Sequence, residues 1–148
     1  MTNTAATANA NSYLRTRVLT ASPEELRLML LDGAIKFARQ GREGLAKRDF
    51  EQMFNGLSQC RNIVTELIIS VRPDPDPDLA EKVRSLYSYI HSQLVEASLS
   101  KSLEHADEAI RLLEFERETW VMLMTKLASE RASGGQPAGP TSSIAMSA

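Results

Sequence analysis

Residues 50–71 read FEQMFNGLSQCRNIVTELIISV. Apolar side chains fall at Phe50, Met53, Leu57, Cys60, Val64, Leu67 and Val71, at intervals that alternate three and four residues. A helix of 3.6 residues per turn puts all of them on one stripe, whereas a half-buried strand would alternate at every second residue. The stripe is an unbroken heptad seam, which seats against neighbouring helices. Asp49, with Gln52 three residues on, supplies a start signal just before it.

Working outward, the same logic recurs on both sides. Upstream, Ser22-Pro23-Glu24-Glu25 reads as a capping box with proline at the first helical position, and predicts a helix running to about Lys47. Downstream, Arg72-Pro73-Asp74-Pro75-Asp76-Pro77 is a stiff, polar, extended linker. Asp76 and Pro77 then start a helix whose seam is Leu79, Val83, Leu86, Ile90, Leu94 and Ala97. A break is expected at Ser100-Lys101-Ser102. The last helix follows Leu103, Ala106, Ile110, Leu113, Arg117, Trp120, Met124 and Leu127, with Arg117 the one polar residue on its stripe. No proline falls between Glu24 and Arg72 or between Asp78 and Gln136, and no Asn-Gly or Asp-Gly hairpin signal separates apolar runs.

The expected fold is therefore all-α: an antiparallel up-down four-helix bundle with a short N-terminal arm or helix over Tyr13 to Thr20. Residues 1–12, mostly Ala, Thr and Asn, have little to bury and are expected to be disordered. Residues 13–130 form the helical domain, and the Gly/Pro/Ser-rich residues 131–148 a disordered tail.

The chain has 148 residues, 17 basic against 19 acidic, and 5% aromatics. One domain with an aliphatic core fits that length and composition. The charge balance argues against a nucleic-acid backbone as partner, which needs a basic face. No apolar run approaches a membrane span, and the N-terminus shows no basic region followed by a hydrophobic stretch, so neither membrane insertion nor secretion is expected. A cytoplasmic location follows from that reading.

Catalytic and metal chemistry find little material. A single cysteine, Cys60, excludes an internal disulfide and multi-cysteine zinc sites. Di-iron bundles need Glu-x-x-His pairs, but Ser88 and Ser102 stand three residues before His91 and His105. Histidine phosphotransfer would need an exposed histidine with lysine or glycine nearby, and His91 is followed by Ser92, Gln93, Leu94 and Val95. No glycine-rich phosphate loop is present, and two histidines on different helices suggest no Ser-His-Asp triad. Cys60 lies on a seam as a small core hydrophobe. The expectation is a binding protein, not an enzyme, with no cofactor and no metal.

The helices carry more apolar surface than such a bundle buries. In the first capped helix, Leu26, Leu30, Gly33 and Phe37 form one line and Leu28, Leu31, Ile35 and Ala38 a second. Phe54, Ile63 and Ile68 flank the next seam, with Ile69 nearly opposite it; Tyr87 and Tyr89 flank the third; Leu112, Phe115 and Leu123 flank the last. Grouped surplus of this kind fits a wide core, a partner groove or a weak homodimer face. Gly33, Gly41, Gly44 and Gly56 fall inside helices, where each costs up to about 1 kcal/mol relative to alanine, which suits close helix approach or a flexible helix.

One set of segments carries a resemblance. Tyr13 is followed by Thr20-Ala21-Ser22-Pro23-Glu24-Glu25-Leu26 and Met29-Leu30-Leu31-Asp32-Gly33-Ala34-Ile35. Ile63-Val64-Thr65-Glu66-Leu67, Leu86-Tyr87-Ser88-Tyr89-Ile90 and Arg117-Glu118-Thr119-Trp120 come after them. In order and spacing, over about three quarters of the chain, these resemble the FliS family of flagellar secretion chaperones. Leu31 departs from it where tyrosine often precedes Asp-Gly, as does Ser98 where asparagine commonly follows Glu-Ala. The resemblance implies a cytoplasmic chaperone that wraps the disordered C-terminal segment of flagellin around its helices, blocks polymerisation and keeps the cargo fit for type III export. The export gate is a further candidate partner. An amphipathic segment laid in a groove suits the surplus apolar surface. The residues expected to meet it are Leu28, Ile35, Ile63, Tyr87 and Tyr89, with Tyr13, Val18 and Leu19 covering a groove until cargo displaces them. The alternative is a non-enzymatic helical adaptor or homodimeric structural bundle.

Overall fold

The computed structural model describes residues 4–74 and 76–134. Those residues form five α-helices and no strand: α1 (Thr4–Thr20), α2 (Pro23–Ala46), α3 (Phe50–Ser70), α4 (Pro77–Ser100) and α5 (Leu103–Gly134). The local start signals form as the side chains dictate. The Glu25 N–H donates to Ser22 Oγ (3.1 Å) and the Ser22 N–H donates to Glu25 Oε1 (3.0 Å), closing the capping box of α2. Asp49 caps α3 by accepting from the Gln52 N–H, and Asp76 caps α4 by accepting from the Leu79 N–H, both at 3.1 Å. Each bond satisfies an amide that the helix cannot pair internally.

These helices pack as a helical bundle. α2 packs on α3 and α5, and α4 packs on the same two. Gly44 lies against Met53 and Gly33 against Ile63, so α3 runs back along α2. Lys101 at the end of α4 reaches Phe50 at the start of α3. His105 bonds Gln93 and Glu116 bonds Tyr87, so α5 runs back along α4. One core gathers Leu31 and Ala38 of α2, Leu57 and Val64 of α3, Ile90 and Leu94 of α4, and Ala109 and Leu113 of α5.

The glycines serve close approach. A Cβ on Gly56 would meet the Gly41 backbone nitrogen at 2.4 Å, and one on Gly44 would meet the Met53 nitrogen at 2.5 Å. Those atoms are main chain, so no side-chain shift makes room. Of the two apolar lines on α2, the one through Leu31, Ile35 and Ala38 is buried.

Three expectations are corrected. Helix α1 begins at Thr4, within the segment expected to lack order, where Ala5, Ala6, Ala8 and Ala10 favour helix. Helix α5 continues four residues past Glu130, to Gly134; residues 1–3 and the rest of the tail lie outside the described residues. In the first half of α4 the core line passes through Ala80 and Tyr87, while Leu79 is exposed and Leu86 half-buried. A straight helix drifts relative to a strict heptad, and the Tyr87 hydroxyl finds partners inside, so the aromatic takes the core position.

Candidate functional site

The α4/α5 seam is the candidate site, and its register follows from two bonds. His105 Nδ1 and Gln93 Oε1 pair at 2.9 Å, and Tyr87 Oη donates to Glu116 Oε2 at 2.9 Å. At 100° per residue, this register turns Leu86 and Tyr89 of α4 toward α5, and Leu112 and Phe115 of α5 toward α4. Leu79 and Leu123 continue the row toward one end. Leu86 and Leu112 are half-buried against the core. Tyr89 and Phe115 stand 46% and 61% exposed. The result is an apolar stripe open to solvent between two parallel walls, with Arg111, held to Glu108 by a bidentate contact at 3.0 Å, beside Tyr89.

Beneath the stripe, one polar network holds the walls in place. Arg27 donates to Tyr87 Oη (3.0 Å) and to Ser70 Oγ (3.2 Å) and stacks 5.2 Å over the Trp120 ring. Trp120 Nε1 donates to the Glu24 carbonyl (3.0 Å). Residues of α2, α3, α4 and α5 all meet there. Burial and the neighbouring Glu116 carboxylate push the Tyr87 hydroxyl's pKa up, so it stays protonated and donates.

The sequence-predicted site residues divide four ways. Tyr89 is on the open seam. Ile35 and Tyr87 are core residues, 6% and 0% exposed, so they present no surface to a partner; Tyr87 is sealed because Arg27 and Glu116 satisfy its hydroxyl. Ile63 and Leu28 are half-buried, Ile63 under Gly33 on the α2/α3 side, away from Tyr89. Tyr13, Val18 and Leu19 are exposed on α1, Leu19 at 77%, and α1 forms no packed interface with another helix. Leu112 and Phe115 were visible in the sequence as an i, i+3 pair off the main stripe, yet nothing local said they would face Tyr89.

Catalytic groups remain dispersed. Among the described residues no three His, Cys, Asp or Glu side chains gather as a metal site. Burial pushes the Cys60 thiol up to about 12, which leaves it un-ionised and inert at neutral pH. No described helix is long and apolar enough to cross a membrane.

A family model described as "Flagellar protein FliS" matches residues 5–127. The chain belongs to the FliS family. It is 26% identical over 124 residues to the flagellar secretion chaperone FliS of Bacillus subtilis (strain 168), covering 84% of this chain and 92% of that protein. It is 26% identical over 126 residues to the flagellar secretion chaperone FliS of Salmonella typhimurium (strain LT2), covering 84% and 93%. The FliS match takes in most of α1, all of α2 to α4 and α5 as far as Leu127, so the whole open seam lies inside it.

Proposed function

We propose that this FliS-family chain is a cytoplasmic export chaperone, a binding protein and not an enzyme. Its α2 to α5 make an antiparallel up-down four-helix bundle that binds the disordered C-terminal segment of flagellin. Binding blocks premature polymerisation and keeps the cargo fit for type III export. The observation that carries this reading is the open apolar seam of Leu79, Leu86, Tyr89, Leu112, Phe115 and Leu123 on a member of a chaperone family. A cargo segment that is disordered when free and amphipathic when helical covers such a stripe, and the area it buries offsets its ordering entropy. The exposed side chains of α1, Tyr13, Val18 and Leu19, then close on the bound segment from outside.

Calorimetric titration of the full chain with a flagellin C-terminal fragment tests this. A stoichiometric complex with a negative heat-capacity change is expected. Tyr89→Glu with Phe115→Glu should weaken it roughly tenfold or more while leaving helicity unchanged, because both side chains are already solvated in the free protein. Deleting residues 1–19 should weaken it less. A double variant that binds as tightly as the parent would sink the seam assignment, and a self-associating chain indifferent to the fragment would favour the structural bundle.

A further inference from the structure

Arg48 and Lys101 are the only residues other than glycine with positive φ among the described residues, at 61° and 53°. They occupy equivalent places, each just past the end of a helix. After α2, the Arg48 N–H donates to the Leu45 carbonyl (3.1 Å) and the Asp49 N–H to the Gly44 carbonyl (2.7 Å). After α4, the Lys101 and Ser102 N–H groups both donate to the Ala97 carbonyl, the second at 3.2 Å. This left-handed closure favours glycine, and an L side chain there costs roughly 1 kcal/mol or more. The fold alone asks for glycine or asparagine at both places, and both hold a long cation.

Both cations turn onto one ring. Arg48 Cζ lies 4.9 Å and Lys101 Nζ 5.3 Å from the centroid of Phe50, so the two charges are at most about 10 Å apart. Neither makes an ion pair among the described residues. Asp49, next to Arg48 in the chain, accepts from the Gln52 N–H, and Glu96 accepts from Ser100 Oγ. Two apolar side chains complete the patch. Phe54, one turn along α3 from Phe50, is 55% exposed, and Leu99, beside the end of α4, is 73% exposed. The Phe50–Lys101 contact sets the register that brings both to the same end of the α3/α4 seam.

We infer that the Phe50 end of the α3/α4 seam is a second docking surface, for a short acidic and apolar segment of a partner protein other than the cargo. The occupant follows from charge complementarity: apolar side chains rimmed by two cations without carboxylate partners. A guanidinium stacked on a ring still offers its N–H edge to a carboxylate, so the contacts to Phe50 orient the charges and leave them available. The inference is independent of the cargo reading, since this patch and the α4/α5 stripe lie on different seams.

Two synthetic helical peptides test it on the full chain by fluorescence anisotropy. They share a leucine and phenylalanine face; one carries glutamates on its flanks, the other lysines. The acidic peptide should bind roughly tenfold tighter, and its affinity should fall as salt is raised. Arg48→Asn with Lys101→Asn should bring it down to the level of the basic peptide. The melting temperature should hold or rise, since asparagine tolerates the left-handed region. Lys101→Arg should retain binding. Leu99→Glu, at an exposed position that cannot unfold the chain, should also weaken the acidic peptide. Equal binding of the two peptides would overturn the proposal, as would an unchanged affinity in the asparagine variant or in Leu99→Glu. So would an equal loss of affinity for the flagellin fragment in the asparagine variant, which would make this patch part of the cargo surface.

Discussion

A single methyl group decides how closely α2 and α3 meet. Beside Gly56 stand the Gly41 nitrogen at 2.4 Å, the Gly41 Cα at 2.6 Å and the Phe37 carbonyl oxygen at 2.7 Å, measured from where a Cβ would sit. Gly56→Ala would gain up to about 1 kcal/mol in helix propensity and lose more by forcing two backbones apart. The net expectation is a loss of about 2 kcal/mol, read as a fall of roughly 4–8 °C in the melting temperature. An unchanged melting curve would show that the glycine serves flexibility instead. At this scale the sequence exposed the anomaly, glycine inside a helix, but its cause lay in a partner on another helix. Tyr87 is the sharper case. Its hydroxyl is satisfied by Arg27, 60 residues before it, and Glu116, 29 residues after it, and periodicity within one helix carries no trace of either. Without those partners a tyrosine beside a seam reads as a surface residue; with them it belongs in the core.

Helix boundaries are legible because their chemistry is local. Ser22, Asp49 and Asp76 each cap the helix their sequence announces, and the linker between α3 and α4 falls on the proline run. Ser22→Ala removes the acceptor of the Glu25 N–H and half of a reciprocal pair. It should cost about 1 kcal/mol, or roughly 2–4 °C in a thermal melt followed by circular dichroism. Asp49→Ala should cost a similar amount. The ends that failed are those without such chemistry. At the start of α1 and the end of α5 no capping pattern marks a boundary, and alanines carry the helix on past the last apolar position. The sequence showed that α4 and α5 each had apolar residues to spare. Which of them face one another depends on the register between two helices, and the Gln93–His105 and Tyr87–Glu116 contacts that fix it are invisible before folding.

On the scale of the whole molecule, one contact is not inherited from chain order. α2 meets α3, α3 meets α4 and α4 meets α5 across short connections, but α2 and α5 must find each other across the two helices between them. Three ion pairs join that interface: Arg39 with Glu114, Arg42 with Asp107, and Asp32 with Arg117. The other two ion pairs among the described residues are local, one within α4 and one within α5. Exposed pairs contribute little to stability one by one, about 0–1 kcal/mol each. Their joint value is in selecting a register, because a shift by one turn would set like charges face to face. Reversing α2 alone, with Asp32→Arg, Arg39→Glu and Arg42→Glu, should therefore destabilise the chain by roughly 1–3 kcal/mol in urea unfolding. Reversing α5 to match, with Asp107→Arg, Glu114→Arg and Arg117→Asp, should recover most of that loss. High salt should shrink the difference between the two variants. If the sixfold variant were no more stable than the threefold one, charge would play no part in the pairing. Burial of Leu31, Ile110 and Leu113 would then have to choose the partner alone, with no polarity to tell one helical register from the next.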